Sequence, residues 1–369
     1  MSSRTRAALP SLRAAAGLVR ALIAAPVPTL IAVLIPALMP VLTPALALAL
    51  ATALATALLP TPLIAQTTAA GVDAAAHHID RAQLMRDVEA LSASAFEGRR
   101  TGTPGALKAR QWLVDQFSDI GLASGGTDGY VQPFTFRARE EGGAGRGGRP
   151  DAIDYAAANV IGRLPGRDTR ARTVVVTAHY DHLGIRDGVV YPGADDNASG
   201  VAVLLAAARH FVRSPPRHTV VFAALDAEEL GLHGARALVD SALLSRGAVA
   251  MNINLDMVSR NNRNEIYAAG TAHTPWLKPL LLNVQTRALV NIRFGHDQPN
   301  SRSGVEDWTH SSDHGPFHDA GIPFVYFGVE DHQDYHAATD TAGRIDDRFF
   351  GDVADMIIEA LQTFDGHVE

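Results

Sequence analysis

Histidine and carboxylate residues recur where predicted strands end. The run from Thr173 to Thr177 is β-branched and apolar, which predicts a buried strand, and His179 and Asp181 follow it closely. An imidazole with a carboxylate two positions further along suits a metal ligand whose second ring nitrogen is held by an acceptor. Taken alone, such a pair is more often structural. The metal interpretation therefore depends on whether further ligand residues follow other strands.

Two adjacent acidic residues, Asp195 and Asp196, lie in a glycine-flanked turn just before an apolar helix. They could cap that helix, because Asp and Asn side chains accept hydrogen bonds from a first helical turn. Two carboxylates in one tight loop also favour a cation. Further donors follow three later strand-like segments: Glu228 and Glu229, then Asp256, then His336.

The order of strand, helix and strand around the apolar helix Val201 to Phe211 implies parallel pairing with a right-handed crossover. Ligands in such sheets collect at the carboxyl ends of the strands. We therefore expect two imidazoles and four carboxylates at one edge, which is crowded for one ion and suits two, with Asp195 as the bridge. This ligand set suits zinc, and also manganese or cobalt.

The adjacent glutamates are expected to have separate roles. Neighbouring side chains at a strand end point in different directions, so only one of Glu228 and Glu229 readily faces a metal. The other is then available as a general base that takes a proton from water and passes it to a leaving amine. In isolation the pair could equally be a solvated loop.

The composition limits the compartment and the partners. The chain has 369 residues, a formal net charge of -7 and no cysteine, so we expect no nucleic-acid surface, no disulfide, no thiolate ligand and no lipoprotein anchor. Residues 1–65 combine early arginines with a long apolar tract and predict a cleaved signal peptide of a secreted or periplasmic protein. The alternative is a retained membrane anchor that faces outside the cytoplasm, although prolines interrupt the tract. Residues 66–78 are predicted to be a linker and residues 79–369 the folded domain.

Several motifs in this order resemble the zinc-dependent aminopeptidases of the M28 family, which include the secreted bacterial leucyl aminopeptidases. The segments that carry the resemblance are Phe96 to Arg99, Ala178 to Asp181, Gly193 to Gly200, Ala227 to Gly231, Asn254 to Met257, Ser312 to His314, and Tyr335 with His336. The resemblance covers nearly everything from about Ile79 onward. It implies a three-layer α/β/α sandwich around a mostly parallel mixed sheet.

The resemblance also implies roles for single residues and two zinc ions per chain. One zinc would bind His179 and Asp256, the other Glu229 and His336, and Asp195 would bridge both. Glu228 matches the general base of the family, and Asp181 the partner of His179. The Asp195–Asp196 peptide bond would be cis. His182, His314, His318 and His332 are expected on the surface or behind the ligands, and Asp340 either orients His336 or caps a turn.

The expected function is a metallo-exopeptidase that hydrolyses N-terminal residues from peptides with a free N-terminus. Water activated by two bridged zinc ions would attack the peptide carbonyl while Glu228 moves the proton. The residues leave open a carboxypeptidase or dipeptidase. Two alternatives use the same fold: a glutaminyl cyclase-like acyltransferase, and a non-catalytic receptor-like domain, which we would expect to have lost ligands.

Overall fold

The computed structural model describes residues 78–139, 152–298 and 306–368. The predicted leader and the predicted linker up to residue 77 lie outside the described residues. Within the described residues, no helix has both the length and the apolar character that a bilayer span requires.

A nine-stranded mixed sheet forms the centre of the described chain. Its strands are β1 (Ala123–Ser124), β2 (Val131–Arg139), β3 (Ala152–Leu164), β4 (Thr173–His179), β7 (Val220–Leu225), β8 (Val249–Leu255), β9 (Glu265–Ala269), β10 (Asn291–Arg293) and β11 (Phe324–Gly328). The order is β1-β3-β7-β4-β8-β11-β9-β10, and β2 pairs with β3. A separate two-stranded hairpin consists of β5 (Gly184–Arg186) and β6 (Val189–Tyr191).

The four central strands, β7, β4, β8 and β11, run parallel to one another. Antiparallel pairs flank them, β3 with β7 on one side and β9 with β11 on the other. All residues of β7, β8 and β11 are buried, as expected for strands that are covered on both faces. The carboxyl ends of these four strands therefore meet at one edge of the sheet.

Helices cover both faces of the sheet. They are α1 (Arg81–Leu91), α2 (Pro104–Ile120), α3 (Gly200–Arg213), α4 (His233–Val239), α5 (Leu277–Gln285), α6 (His314–Asp319) and α7 (Asp347–His367). Val174 and Val176 of β4 pack in the core with α1, α2, α3, α5 and α7, whereas Val175 packs in the core with α4 and α6. This alternation follows from the two-residue period of a strand and gives three layers.

The predicted α/β fold with a mostly parallel mixed sheet is confirmed. The helix predicted over Val201 to Phe211 is present as α3, and the strand predicted from Thr173 is present as β4. Five short elements were not predicted: β5, β6, β10, α4 and α6. Each is too short for a repeating pattern of apolar residues to be recognised in its sequence.

Candidate metal centre

The four parallel strands deliver polar side chains to one edge of the sheet. His179 is the last residue of β4, Asp256 follows β8, and Glu228 and Glu229 lie just beyond the end of β7. His336 lies in the loop after β11. The register places His179 opposite Leu225 at the ends of β4 and β7, so the residues after both strands meet.

A first group of donor atoms belongs to His179, Glu228 and Asp256, whose nearest ligand atoms all lie within 4.8 Å of one another. Nε2 of His179 is 3.2 Å from Oδ1 of Asp256. Both the imidazole and the Asp256 carboxylate are largely buried. Chain segments after three different strands thus meet at one point.

A second group contains Asp196, Glu229 and two imidazoles. Nε2 of His336 is 3.2 Å from Oδ2 of Asp196 and 3.3 Å from Oε2 of Glu229. His182 lies on the far side of Glu229, and its Nδ1 donates to Oε1 of that carboxylate at 2.8 Å. The two oxygens of Glu229 therefore face different imidazoles.

The carboxylate of Asp196 joins the two groups. Its Oδ1 is 3.4 Å from Nε2 of His179, while its Oδ2 is 3.2 Å from Nε2 of His336. The side chain is almost fully buried. One carboxylate thus presents one oxygen to each donor group, as a bridging ligand must.

Asp195, the predicted bridge, faces the opposite side of the loop. Its Oδ1 accepts hydrogen bonds from the backbone N–H (2.8 Å) and hydroxyl (2.6 Å) of Ser259, and Nε2 of His332 is 2.9 Å from its Oδ2. The carboxylate that lies between the two donor groups is therefore that of Asp196 and not that of Asp195. The cis peptide bond is likewise Asp196–Asn197 and not Asp195–Asp196.

Asp181 contacts both the first imidazole and the segment with the two glutamates. Its carbonyl oxygen is 3.2 Å from Nδ1 of His179, and its carboxylate lies further away, at 3.7 Å. The carboxylate accepts hydrogen bonds from the backbone N–H groups of Glu228 (3.1 Å) and Glu229 (3.4 Å). Asp181 therefore fixes the ring of His179 and the start of the loop after β7 together.

Burial and mutual proximity shift the pKa values of these groups in opposite directions. Burial raises the pKa of Glu228 well above its ordinary value, and nearby carboxylates raise it further. Burial also raises the pKa of Glu229, but hydrogen bonds from His182 and His336 outweigh it and hold that pKa below its ordinary range. Burial lowers the pKa of His336, yet its contacts with Asp196 and Glu229 raise the pKa to about 10.

Asp313 adds a further acidic group near the first donor group. Both of its carboxylate oxygens are buried and have no hydrogen-bond partner among the described residues. Burial raises the pKa of this carboxyl to about 8, and the neighbouring Asp181 and Asp256 contribute. Several buried carboxylates can be ionised together only if nearby positive charge compensates them.

The donor set fits zinc on two counts. The ligands are imidazole nitrogens and carboxylate oxygens, which zinc accepts. Ligand atoms about 2.0–2.1 Å from a tetrahedral zinc lie about 3.3 Å from one another. The four separations from His179 and His336 to the neighbouring carboxylates are 3.2, 3.4, 3.2 and 3.3 Å, whereas the His182–Glu229 contact of 2.8 Å is an ordinary hydrogen bond.

Comparison with known proteins agrees with this geometry. The model of peptidase family M28 matches residues 159–361, more than half of the chain. This chain belongs to peptidase family M28. The match includes every residue of both donor groups, and it confirms the resemblance predicted from the motifs. The expected enzyme class, a metallopeptidase among the hydrolases, is that of the family.

Two relatives illustrate the similarity. The chain is 26% identical over 339 residues to a probable zinc metalloprotease of Pyricularia oryzae, covering 79% of this chain and 63% of the relative. It is 32% identical over 218 residues to aminopeptidase YwaD of Bacillus subtilis, covering 55% of this chain and 44% of the relative. The chain thus spans less than two thirds of the length of either relative.

A solved structure shares the fold. The aminopeptidase from Aneurinibacillus sp. strain AM-1 superposes with a TM-score of 0.62 at 19% sequence identity, covering 77% of this chain and 95% of that chain. At this identity the similarity concerns the fold, a sheet flanked by helices on both sides.

Of the predicted site residues, His179, Asp181, Glu228, Glu229, Asp256 and His336 lie together at this edge. Asp195 does not face them. Two further residues, Asp196 and His182, contact this group although neither was among the predicted site residues. The sequence favoured Asp196 as much as Asp195, because both are acidic residues of the same turn. His182 follows the strand end by three residues, beyond the reach of strand alternation, and sequence spacing gives no sign of its contact with Glu229.

Proposed function

We propose that the protein is a two-zinc aminopeptidase that releases the first residue of peptides with a free amino terminus. The observation that carries the proposal is the placement of Asp196, whose two carboxylate oxygens face His179 and His336 at 3.4 and 3.2 Å. A carboxylate shared in this way is typical of two-metal hydrolases. Membership of a peptidase family supplies the reaction class.

The residues divide between two zinc positions. His179 and Asp256 would hold one ion, Glu229 and His336 the other, and Asp196 would contact both. When bound, two zinc ions polarise a carbonyl oxygen and lower the pKa of water to about 7. Manganese or cobalt would suit the same donors.

Glu228 is suited to move the proton. Its carboxylate lies beside His179 and Asp256, while its backbone N–H is fixed by Asp181. We propose that Glu228 takes a proton from the attacking water and passes it to the leaving amine, a role worth about 10²–10⁴ in rate.

The choice of the amino end rests on a relative. The relative YwaD, 32% identical over 218 residues, is named an aminopeptidase. We therefore favour cleavage at the amino end over cleavage at the carboxyl end.

The test uses purified protein, first chelated and then restored with zinc, on paired peptides with free and acetylated amino termini. We expect release of the first residue from the free peptides only, and only with about two zinc ions per chain. Glu228→Gln is expected to lose about 10²–10⁴ of the rate and to keep both zinc ions. The exposed Glu89→Gln is the matched control and should behave like the wild type.

Each other outcome rejects a defined part of the proposal. Binding of a single zinc per chain would reject the bridging role of Asp196. Zinc-dependent cyclisation of N-terminal glutamine without cleavage would favour the acyltransferase alternative. Two zinc ions with neither reaction would favour the receptor-like alternative.

We also propose that the protein acts outside the cytoplasm. The support is the arginine-containing apolar stretch of residues 1–65. Amino-terminal sequencing of the protein recovered from cell fractions tests this. An intact leader on membrane-bound protein would indicate the anchor alternative, and an intact leader on cytoplasmic protein would reject export.

A further inference from the structure

Arg99 is a fully buried arginine that binds only backbone oxygens within the described residues. Its Nε donates to the carbonyl of Tyr180 at 2.8 Å, and its Nη1 donates to the carbonyls of Leu91 (2.7 Å) and Pro192 (2.6 Å). Its Nη2 donates to the carbonyl of Gly193 at 2.9 Å. One side chain thus connects the residue after His179 with the start of the turn that leads to Asp196.

Asp340 holds the other half of the same turn. Its carboxylate accepts hydrogen bonds from the backbone N–H groups of Asp195 (3.1 and 3.0 Å) and Asp196 (3.1 Å), and its carbonyl accepts one from Ala194 at 3.2 Å. Asp340 is fully buried and lies four residues after His336. The loop with His336 is therefore bonded directly to the backbone of Asp196.

Arg99 and Asp340 together bind five consecutive residues, 192–196, which we call the bridge segment; four are bound by the two side chains and Ala194 by the backbone carbonyl of Asp340. Arg99 binds the two carbonyls at its start, and Asp340 binds the three N–H groups at its end. The segment also carries the left-handed glycine Gly193, where an added Cβ would lie 2.1 Å from the carbonyl oxygen of Asp196. Because the backbone of this segment is fixed, the direction in which the Asp196 side chain projects is restricted.

The four backbone carbonyls that Arg99 binds would lose their donor if the side chain were replaced, so Arg99 contributes to stability. Its buried charge is a second contribution. Burial lowers the pKa of Arg99 only to about 10, so the guanidinium stays charged at neutral pH, and Asp196, Asp340, Asp181 and Glu229 all favour that charge. A fixed positive charge behind a carboxylate-rich centre points to a role in the centre itself.

We propose that Arg99 and Asp340 are positioning residues, a clamp on the bridge segment that turns the carboxylate of Asp196 towards both donor groups. The proposal rests on the zinc site proposed above. It concerns zinc binding before catalysis, so it can be tested whether or not the protein cleaves peptides.

The experiment measures the zinc dissociation constant by competition with a chromogenic chelator, for Arg99→Lys, Asp340→Asn and the double variant. Lysine keeps the charge but has one nitrogen, which cannot span the carbonyls that the planar fork reaches. We expect each single variant to weaken zinc binding at least about tenfold, as for other groups that orient ligands. The double variant should lose less than the product of both effects, because the two residues act on one segment.

Arg209→Lys is the matched control. Arg209 is a largely buried arginine that binds the buried Asp87 and also Gln116 (2.9 Å), among helices on one face of the sheet. Its variant should lower the melting temperature and leave the zinc dissociation constant unchanged. Circular dichroism and the melting temperature establish folding for every variant, and Asp340→Asn serves if Arg99→Lys does not fold.

The outcomes separate the clamp from the proposed function. Weak zinc binding in folded Arg99→Lys or Asp340→Asn, with rescue of binding at high zinc, supports the clamp even if no peptide is cleaved. Folded variants that bind zinc as tightly as the wild type overturn it, even if the wild type is an active aminopeptidase. A wild type that binds no zinc would reject both the clamp and the zinc site, whereas zinc binding without cleavage rejects only the activity.

Discussion

Two adjacent aspartates lie on opposite sides of the turn before α3. Asp196 turns towards His179 and His336, whereas Asp195 is bonded to Ser259 and His332. The same residue type therefore faces both donor groups at one position and makes a loop contact at the next. The two aspartates differ in the direction of their side chains.

The first prediction compares Asp196→Asn with Asp195→Asn. The Asp196 change removes a charge that faces both donor groups, so we expect loss of at least one zinc per chain and of activity. The Asp195 change weakens bonds to Ser259, and we expect a free energy of unfolding lower by about 1–3 kcal/mol with zinc content retained. Metal analysis and urea unfolding of both variants check this. Retention of two zinc ions by Asp196→Asn would contradict the bridge.

The second prediction concerns His182, which donates to Oε1 of Glu229 at 2.8 Å and leaves Oε2 facing His336. His182→Gln removes this orienting bond, so zinc affinity is expected to fall about 10–100-fold. His218→Gln is a close control, because His218 is also fully buried and contacts one carboxylate (Asp365, 3.0 Å), and its Nε2 has no hydrogen-bond partner among the described residues. Chelator competition measures both, and equal affinities in the two variants would count against an orienting role.

The sequence determines much of the site but not its finest detail. The placement of His179, Glu229, Asp256 and His336 at one edge could be predicted, because each lies at or after the end of a predicted strand and parallel strands bring such residues together. The choice between Asp195 and Asp196 depends on backbone dihedrals within one turn, which hydrophobic periodicity does not describe.

At the scale of elements, the parallel strands β7, β4, β8 and β11 could be predicted because each is a short run of mostly apolar residues. The hairpin β5–β6 and the helices α4 and α6 could not be predicted. They are three to seven residues long, and tertiary contacts rather than local propensity stabilise them. The parts of the fold that position the ligands are thus the more predictable parts.

The third prediction tests the contact between α3 and β8. A Cβ on Gly200, the first residue of α3, would lie 2.3 Å from the carbonyl oxygen of Leu255 and 2.4 Å from Oδ1 of Asn197. Gly200→Ala should therefore lower the free energy of unfolding by about 1–3 kcal/mol, although alanine is the better helix former. Urea unfolding measures this change.

The control for that variant is Gly366→Ala in the last turn of α7, where an added Cβ meets no atom within 4 Å. There the helix preference for alanine is unopposed, and we expect a gain of about 0.5–1 kcal/mol. Stabilisation by both substitutions would show that α3 can move away from β8 freely and that the close approach has little weight.

At the scale of the whole molecule, the buried acids couple folding to metal and pH. Burial raises the pKa of Asp226 to about 6 and that of Asp313 to about 8. Burial lowers the pKa of His336, but its bonds to Asp196 and Glu229 raise it to about 10. All three shifts make the folded, metal-free chain bind more protons than the unfolded chain at mildly acidic to mildly basic pH.

The fourth prediction follows from the sign of this difference. Stability falls with rising pH wherever the folded state binds more protons, so the metal-free protein should lose stability from about pH 5 to about pH 8. The lowered pKa of Glu229 acts in the opposite sense, but only at more acidic pH. Zinc requires deprotonated ligands, so its affinity and its stabilising effect rise over the same range.

The difference in melting temperature between zinc-loaded and chelated protein should therefore widen from pH 5.5 to pH 8. Differential scanning calorimetry at both pH values checks this. Asp313→Asn, which loses no hydrogen bond because both oxygens of Asp313 lack partners among the described residues, should flatten the pH dependence of the chelated protein. A difference that narrows with rising pH would mean that the buried acids are already ionised without metal, and that positive charge other than zinc balances them.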